Sequence, residues 1–180
     1  MAKAGGGKLN RTETVTVRLD PKLNYLCELA SRAQRRTKSS FVEWAVAEAL
    51  QTVEIPDAAD FDENFVQKPA TVADKASTLW HVDEPDRLVA LALYAPSLLT
   101  HGEQLIWRHV RENGYIWKGQ FNQQDEWTWK LQEASLIRER LREHWETFKA
   151  VAAEELAEEN LPSWSRKRPN YDDLDDDIPF

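Results

Sequence analysis

The stretch Thr14-Val15-Thr16-Val17-Arg18-Leu19 limits what this chain can fold into more than any other. Val15, Val17 and Leu19 fall on one side and Thr14, Thr16 and Arg18 on the other, the period-two alternation of a β-strand. A lone strand leaves its backbone donors and acceptors unpaired, and no second convincing strand follows nearby. The expected partner is the same strand from another copy of the chain. Two helices should come next. Asp20-Pro21 supplies an N-cap followed by proline at the first helical position. Leu23, Leu26, Leu29, Ala30 and Ala33 then recur at helical spacing to about Arg35. Thr37 caps a second helix, whose apolar stripe of Phe41, Val42, Ala45, Val46, Ala49 and Leu50 runs to about Val53. One strand and two helices bury too little apolar surface to be stable alone. An intertwined homodimer, or a higher homo-oligomer, is therefore expected.

The order strand, Asp-Pro, helix, Arg35-Arg36-Thr37-Lys38-Ser39-Ser40-Phe41-Val42, helix makes residues 12–53 resemble the ribbon-helix-helix family, the group that includes the Arc and MetJ repressors. The resemblance implies that two strands pair antiparallel across a dimer axis and lie in the major groove of DNA. Thr14, Thr16 and Arg18 would then face base edges, arginine suiting guanine and threonine serving several bases. Lys38, Ser39 and Ser40 would place a helix N-terminus on a phosphate, with Arg11 a further phosphate contact. The alternative is an ordinary strand on a helical domain, its Thr/Arg face merely solvated.

Charge favours the DNA reading. Residues 1–53 carry nine Lys/Arg against five Asp/Glu, a local +4 in a chain of net charge −8. Lys3, Lys8 and Arg11 sit on a Gly-rich arm, residues 1–11, expected to be flexible and to follow a phosphate backbone. Residues 54–180 hold 14 Lys/Arg and 26 Asp/Glu, so the rest of the chain is acidic. The one cysteine, Cys27, permits no disulfide within a chain and reads as a small packing residue. His81, His101, His109 and His144 lack metal-ligand spacing, and the Gly5-Gly6-Gly7 run follows no strand. No paired carboxylates or nucleophile–base arrangement stands out. The expectation is a protein that is not an enzyme, with no cofactor, no metal and no membrane span, located in the cytoplasm.

Residues 54–77, acidic and punctuated by proline, read as a linker. A Trp-rich helical domain is expected over 78–161. Asp83-Glu84-Pro85-Asp86 opens a buried helix that Pro96 ends, and Thr100-His101-Gly102-Glu103 is a capping box opening another that stops at Asn113-Gly114. Tyr115–Phe121 reads as a loop or minor strand. A long helix should then span about Gln123 to Glu159, on the stripe Trp127, Leu131, Ala134, Ile137, Leu141, Trp145, Phe148, Ala152 and Leu156. Seven of the eight tryptophans lie in residues 80–164, and two readings compete for them. They fill a core, as the register of Trp107, Trp127 and Trp145 suggests. Or exposed rings stack on unpaired bases, interleaved with Arg108, Arg111, Lys118, Lys130, Arg138 and Arg142. Trp117 and Trp129 are the best candidates for stacking.

Residues 162–180 read as a disordered tether ending in an acidic tip, so the overall fold class is mainly α: ribbon-helix-helix head, helical domain, acidic tail. The tip joins Asp175, Asp176 and Asp177 to Ile178, Pro179 and Phe180 with its terminal carboxylate, and capture of such a carboxylate is a known peptide-binding mode. Asp-Asp-Asp-Ile-Pro-Phe resembles the C-terminal tip of bacterial single-stranded-DNA-binding protein. That resemblance implies docking of replication and repair enzymes, the aspartates steering and Ile178, Pro179 and Phe180 anchoring. The body departs from that family, since nothing here reads as a five-stranded barrel. The leading expectation is an analogue of single-stranded-DNA-binding protein, from a bacterium or mobile element such as a plasmid. Two alternatives stand beside it. One is a sequence-specific ribbon-helix-helix transcriptional repressor or antitoxin, and the other an adaptor or decoy presenting the tip to host enzymes.

Overall fold

Asp20 turns the chain from extended backbone into helix: its Oδ1 accepts from the N–H groups of Lys22 and Leu23, both at 3.0 Å. These are two of the donors a helix start leaves without partners. In the computed structural model, which describes residues 15–61 and 65–163, the chain divides into two compact units, 1–77 and 78–180. The described residues include seven α-helices, four short 3-10 turns and two antiparallel two-stranded sheets.

In the first unit, α1 (Pro21–Ala33) ends two residues before the expected Arg35, which instead forms the turn. Arg36 N–H reaches Ser31 C=O at 2.9 Å and Arg35 N–H reaches Arg32 C=O at 3.0 Å. This is a Schellman closure with Arg35 in the left-handed position at φ 53°. Thr37 caps α2 (Lys38–Leu50), its Oγ1 accepting from Ser40 N–H at 3.2 Å. Residues 15–20 have no strand partner among the described residues.

The expected linker contains a β-hairpin, β1 (Glu54–Phe61) and β2 (Gln67–Thr71), paired antiparallel with a bulge between Glu54 and Ala59. Pro56 and Pro69 argue against a strand inside a broad sheet. In a two-stranded sheet, however, each strand has an unpaired edge, and there a missing N–H costs no ladder bond. Buried Ile55 and Ala70 anchor the hairpin. Val72 N–H to Val53 C=O (2.9 Å) and Ala73 N–H to Leu50 C=O (3.1 Å) tie its end to α2. A short helix, α3 (Ala76–Leu79), follows.

The second unit has α4 (Glu84–Tyr94), α5 (His101–Glu112), β3 (Gly119–Phe121), β4 (Trp127–Trp129), α6 (Arg138–Glu143) and α7 (Trp145–Ala152). Leu88, Val89, Val110, Ile116, Trp117, Leu141 and Phe148 lie at the centre of its core. The expected capping box is present: Thr100 Oγ1 accepts from Glu103 N–H and Glu103 Oε2 accepts from Thr100 N–H at 2.8 Å. Asp83, expected as a cap for α4, makes no side-chain cap bond and pairs with Arg142 at 3.1 Å.

The long helix expected over 123–159 is absent as one element. Asn122 Oδ1 accepts from the N–H groups of Gln124 (2.9 Å) and Glu126 (2.8 Å), and Asp125 takes φ 60°. That turn folds Trp127-Thr128-Trp129 back onto β3 as an antiparallel strand. Thr and Trp favour strands through β-branching and ring bulk, so the helical spacing of Trp127, Leu131 and Ala134 is coincidental. Only Leu141, Trp145 and Phe148 of that stripe are buried on helices, across α6 and α7, with Ala152 half-buried at the end of α7.

Candidate nucleic-acid interface

The head exposes what a finished domain hides. Among its described residues only Ser31, Ile55 and Ala70 are buried, while Leu23, Tyr25, Leu26 and Leu29 of α1 and Val42, Trp44, Val46 and Leu50 of α2 are exposed. Val15 and Val17 are 78% and 64% exposed, and Leu19 is half-buried. These large apolar side chains are exposed on the extended segment and on both helices.

Thr16 and Arg18 are exposed, as are Lys38, Ser39 and Ser40. Thr14 and Arg11 lie outside the described residues. The N–H groups of Lys38 and Ser39, at the first turn of α2, have no acceptor among the described residues, which with the helix dipole suits an anion. Lys38 Nζ also donates to Asn24 Oδ1, which draws its ammonium toward α1 without neutralising it. Arg18, Lys22 and Arg35 make no ion pair among the described residues; Arg32 pairs with Glu28. Arg36 rests over the Trp44 ring, 5.6 Å from its centroid. Arg35 was not singled out from the sequence. The signal available was the doubled arginine just before the Thr37 cap.

The second unit corrects one stacking assignment. Trp117 is 0% exposed, and its Nε1–H donates to Val110 C=O at 2.9 Å, so its faces are spent inside the core and cannot meet a base. Trp129 is half-buried and donates through Nε1 to Arg111 C=O at 3.0 Å. Trp80, which no periodic pattern marks, is 60% exposed, with Arg87 stacked at 5.3 Å and fastened to the carbonyls of His81 and Val82.

Several cations expected to interleave with the tryptophans are committed internally. Arg138 and Arg142 converge on Asp86, which is 2% exposed, and Arg138 also meets Glu133. Arg111 pairs with Glu112 at 3.1 Å; Arg108, Lys118 and Lys130 remain exposed. The titration shifts follow these bonds. Hydrogen bonding to Asp86 raises Arg142, the Glu146 carboxylate raises Lys149, and the bond to Glu133 raises the Tyr94 phenol.

No cluster of three or more His, Cys, Asp or Glu side chains able to hold a metal occurs among the described residues, and no helix there is long and apolar enough to cross a membrane. The tip residues Asp175, Asp176, Asp177, Ile178, Pro179 and Phe180 lie outside the described residues. No family model, characterised protein or solved structure matches the chain.

Proposed function

We propose that this chain is a non-enzymatic DNA-binding protein that works as a homodimer and offers its C-terminal tip to DNA-maintenance enzymes. The observation that carries the reading is the head's uncovered apolar surface. Val15 and Val17 on the extended segment, with the exposed apolar side chains of α1 and α2, are what a second copy would cover. Pairing of the two extended segments would leave Thr14, Thr16 and Arg18 on the outer face, and the open N–H groups of Lys38 and Ser39 would take a phosphate at each side. The part assigned to the tip rests on its resemblance to that of single-stranded-DNA-binding protein.

Duplex DNA is the favoured substrate, as in the repressor alternative. Trp117 is withdrawn into the core, and two of the six expected cations of the second unit, Arg138 and Arg142, are held on the buried Asp86, which weakens the case for a single-strand stacking surface. The single-strand reading keeps one observation, the exposed Trp80 with Arg87 stacked on it.

The test is a titration of the full chain with selected duplex and with single-stranded oligonucleotides at two salt concentrations. Affinity should fall with salt, and Arg18→Ala should cost about 1–3 kcal/mol on the preferred duplex. Arg35→Gly separates stability from binding. Glycine relieves left-handed strain of about 1–2 kcal/mol and costs about 0.5–1 kcal/mol in unfolded-chain entropy, so the head should be slightly stabilised, while removal of a cation with no ion pair among the described residues weakens DNA binding. Tighter single-strand binding, unchanged by Arg18→Ala and lost with Trp80→Ala, would reverse the choice of substrate.

A further inference from the structure

Strands β3 and β4 form a two-stranded ribbon with two unlike faces. The register sets Gly119 against Trp129, Gln120 against Thr128 and Phe121 against Trp127. Alternation therefore puts Phe121, Trp127 and Trp129 on one side. That side is turned inward. A Cβ on Gly114 would stand 2.9 Å from Trp129 Cζ3 and 3.1 Å from Trp127 Cδ1, and Trp129 Nε1–H is bonded to Arg111 C=O. The outer side carries Gln120 and Thr128, with Lys118 and Lys130 one residue beyond the Gly119–Trp129 pair, and all four are exposed. Thr128 Oγ1 donates to Gln120 C=O at 3.1 Å, and the Gln120 amide group makes no hydrogen bond among the described residues.

Charge on the outer side is divided along its length. Neither lysine makes an ion pair among the described residues, and Lys118 Nζ has only the neutral Ala134 C=O at 3.5 Å. Like charges on neighbouring strands repel, and a phosphate beside them offsets that cost. Glu126 stands at the turn end, where Asn122 Nδ2 donates to it at 3.0 Å. An amide does not neutralise a carboxylate, so the turn end is acidic and the lysine end is where an anion belongs. The rest of the chain beyond the head is acidic, but a polyanion responds to the local patch. With the rings on the inner side, the outer one cannot stack unpaired bases. Double-stranded RNA keeps its base edges in a major groove too deep and narrow for side chains. The DNA major groove admits a two-stranded ribbon.

We infer that the outer side of the β3–β4 ribbon is a second contact for duplex DNA, with Lys118 and Lys130 on phosphate and Gln120 and Thr128 toward the groove. The inference rests on the duplex-DNA part of the function proposed above and is independent of the head's residues. Lysine on phosphate holds position and strengthens binding to any sequence, whereas glutamine and threonine can meet base edges.

The test titrates the full chain with duplex DNA over a series of salt concentrations, comparing Lys118→Gln, Lys130→Gln, Glu126→Gln, Arg18→Ala and Arg108→Gln. Arg108 is an exposed cation of the same unit that lies on α5, off the ribbon. Each lysine variant should weaken binding and lower the slope of log affinity against log salt by about one. Glu126→Gln should tighten binding, and a chain with arginine at both lysine positions should bind as the wild type does. Urea midpoints should stay unchanged, since all the altered ribbon side chains are exposed. Losses no larger than that of Arg108→Gln would reduce the ribbon to general charge and overturn the inference. Unchanged affinity in both lysine variants, with Arg18→Ala still weakened, would overturn it and leave the head reading standing. The reverse pattern would leave the ribbon standing and remove the head. A chain that binds no duplex would overturn both.

Discussion

Single side chains decide more here than their types announce. Trp117 and Trp145 are both core indoles, but Trp117 donates to Val110 C=O while the Trp145 N–H is buried with no hydrogen-bond partner among the described residues. Replacing either by phenylalanine removes similar volume, so the hydrogen bond makes the difference. Trp117→Phe should cost about 1–2 kcal/mol more than Trp145→Phe, read as the gap between their urea midpoints at constant m-value. Asp86 makes the same point for charge. Its position beside Pro85 identifies the first turn of a helix, and nothing local reveals that Arg138 and Arg142 arrive from α6 to meet it. Those partners stand more than fifty residues away in sequence, beyond any periodicity argument.

At the scale of elements, local chemistry was legible wherever a cap or turn spoke for itself. Asp20-Pro21, Thr37 and the Thr100/Glu103 box all start helices at the expected residues. The failures came where two patterns overlapped. Trp127, Leu131 and Ala134 match a helical stripe, but the Asn122-centred turn outweighs it and makes a hairpin. The hairpin in 54–71 was hidden by its own prolines. Its exit has a pH signature. Asp74 Oδ2 accepts from the Thr71 N–H and Oγ1–H, both at 2.9 Å, and these bonds hold its carboxyl below the usual value. Because the folded value is the depressed one, the turn's contribution is present above the ordinary carboxylate range and is lost as pH falls through the folded value. Amide exchange at Thr71 and Asp74 should therefore speed up, relative to a neutral control turn, only in that acid window. Asp74→Asn should abolish the pH dependence.

For the whole molecule the main expectation concerns concentration. A head with its apolar helix faces exposed in one chain should gain stability from a second copy, so its melting temperature should rise with protein concentration. Sedimentation equilibrium should give a dimer, and Leu26→Glu, placing a charge on the α1 face, should give a monomer with an unstable head. A wild-type chain that stays monomeric at all concentrations, its head melting cooperatively at one temperature, would remove the basis for the proposed dimer. What the sequence alone determined is local and short-ranged: the alternation of 14–19, the caps, the basic head, the acidic remainder and the terminal Ile-Pro-Phe. These depend on neighbours within a few residues, where backbone geometry dictates which side chains can meet. Only the tertiary structure decided that Trp117 is core, that Arg138 and Arg142 are spent on Asp86, and that Trp127 and Trp129 turn inward against Gly114. Each of those outcomes depends on which distant segments pack together, and burial, which sets whether a ring or a charge is available to a ligand, belongs to that packing.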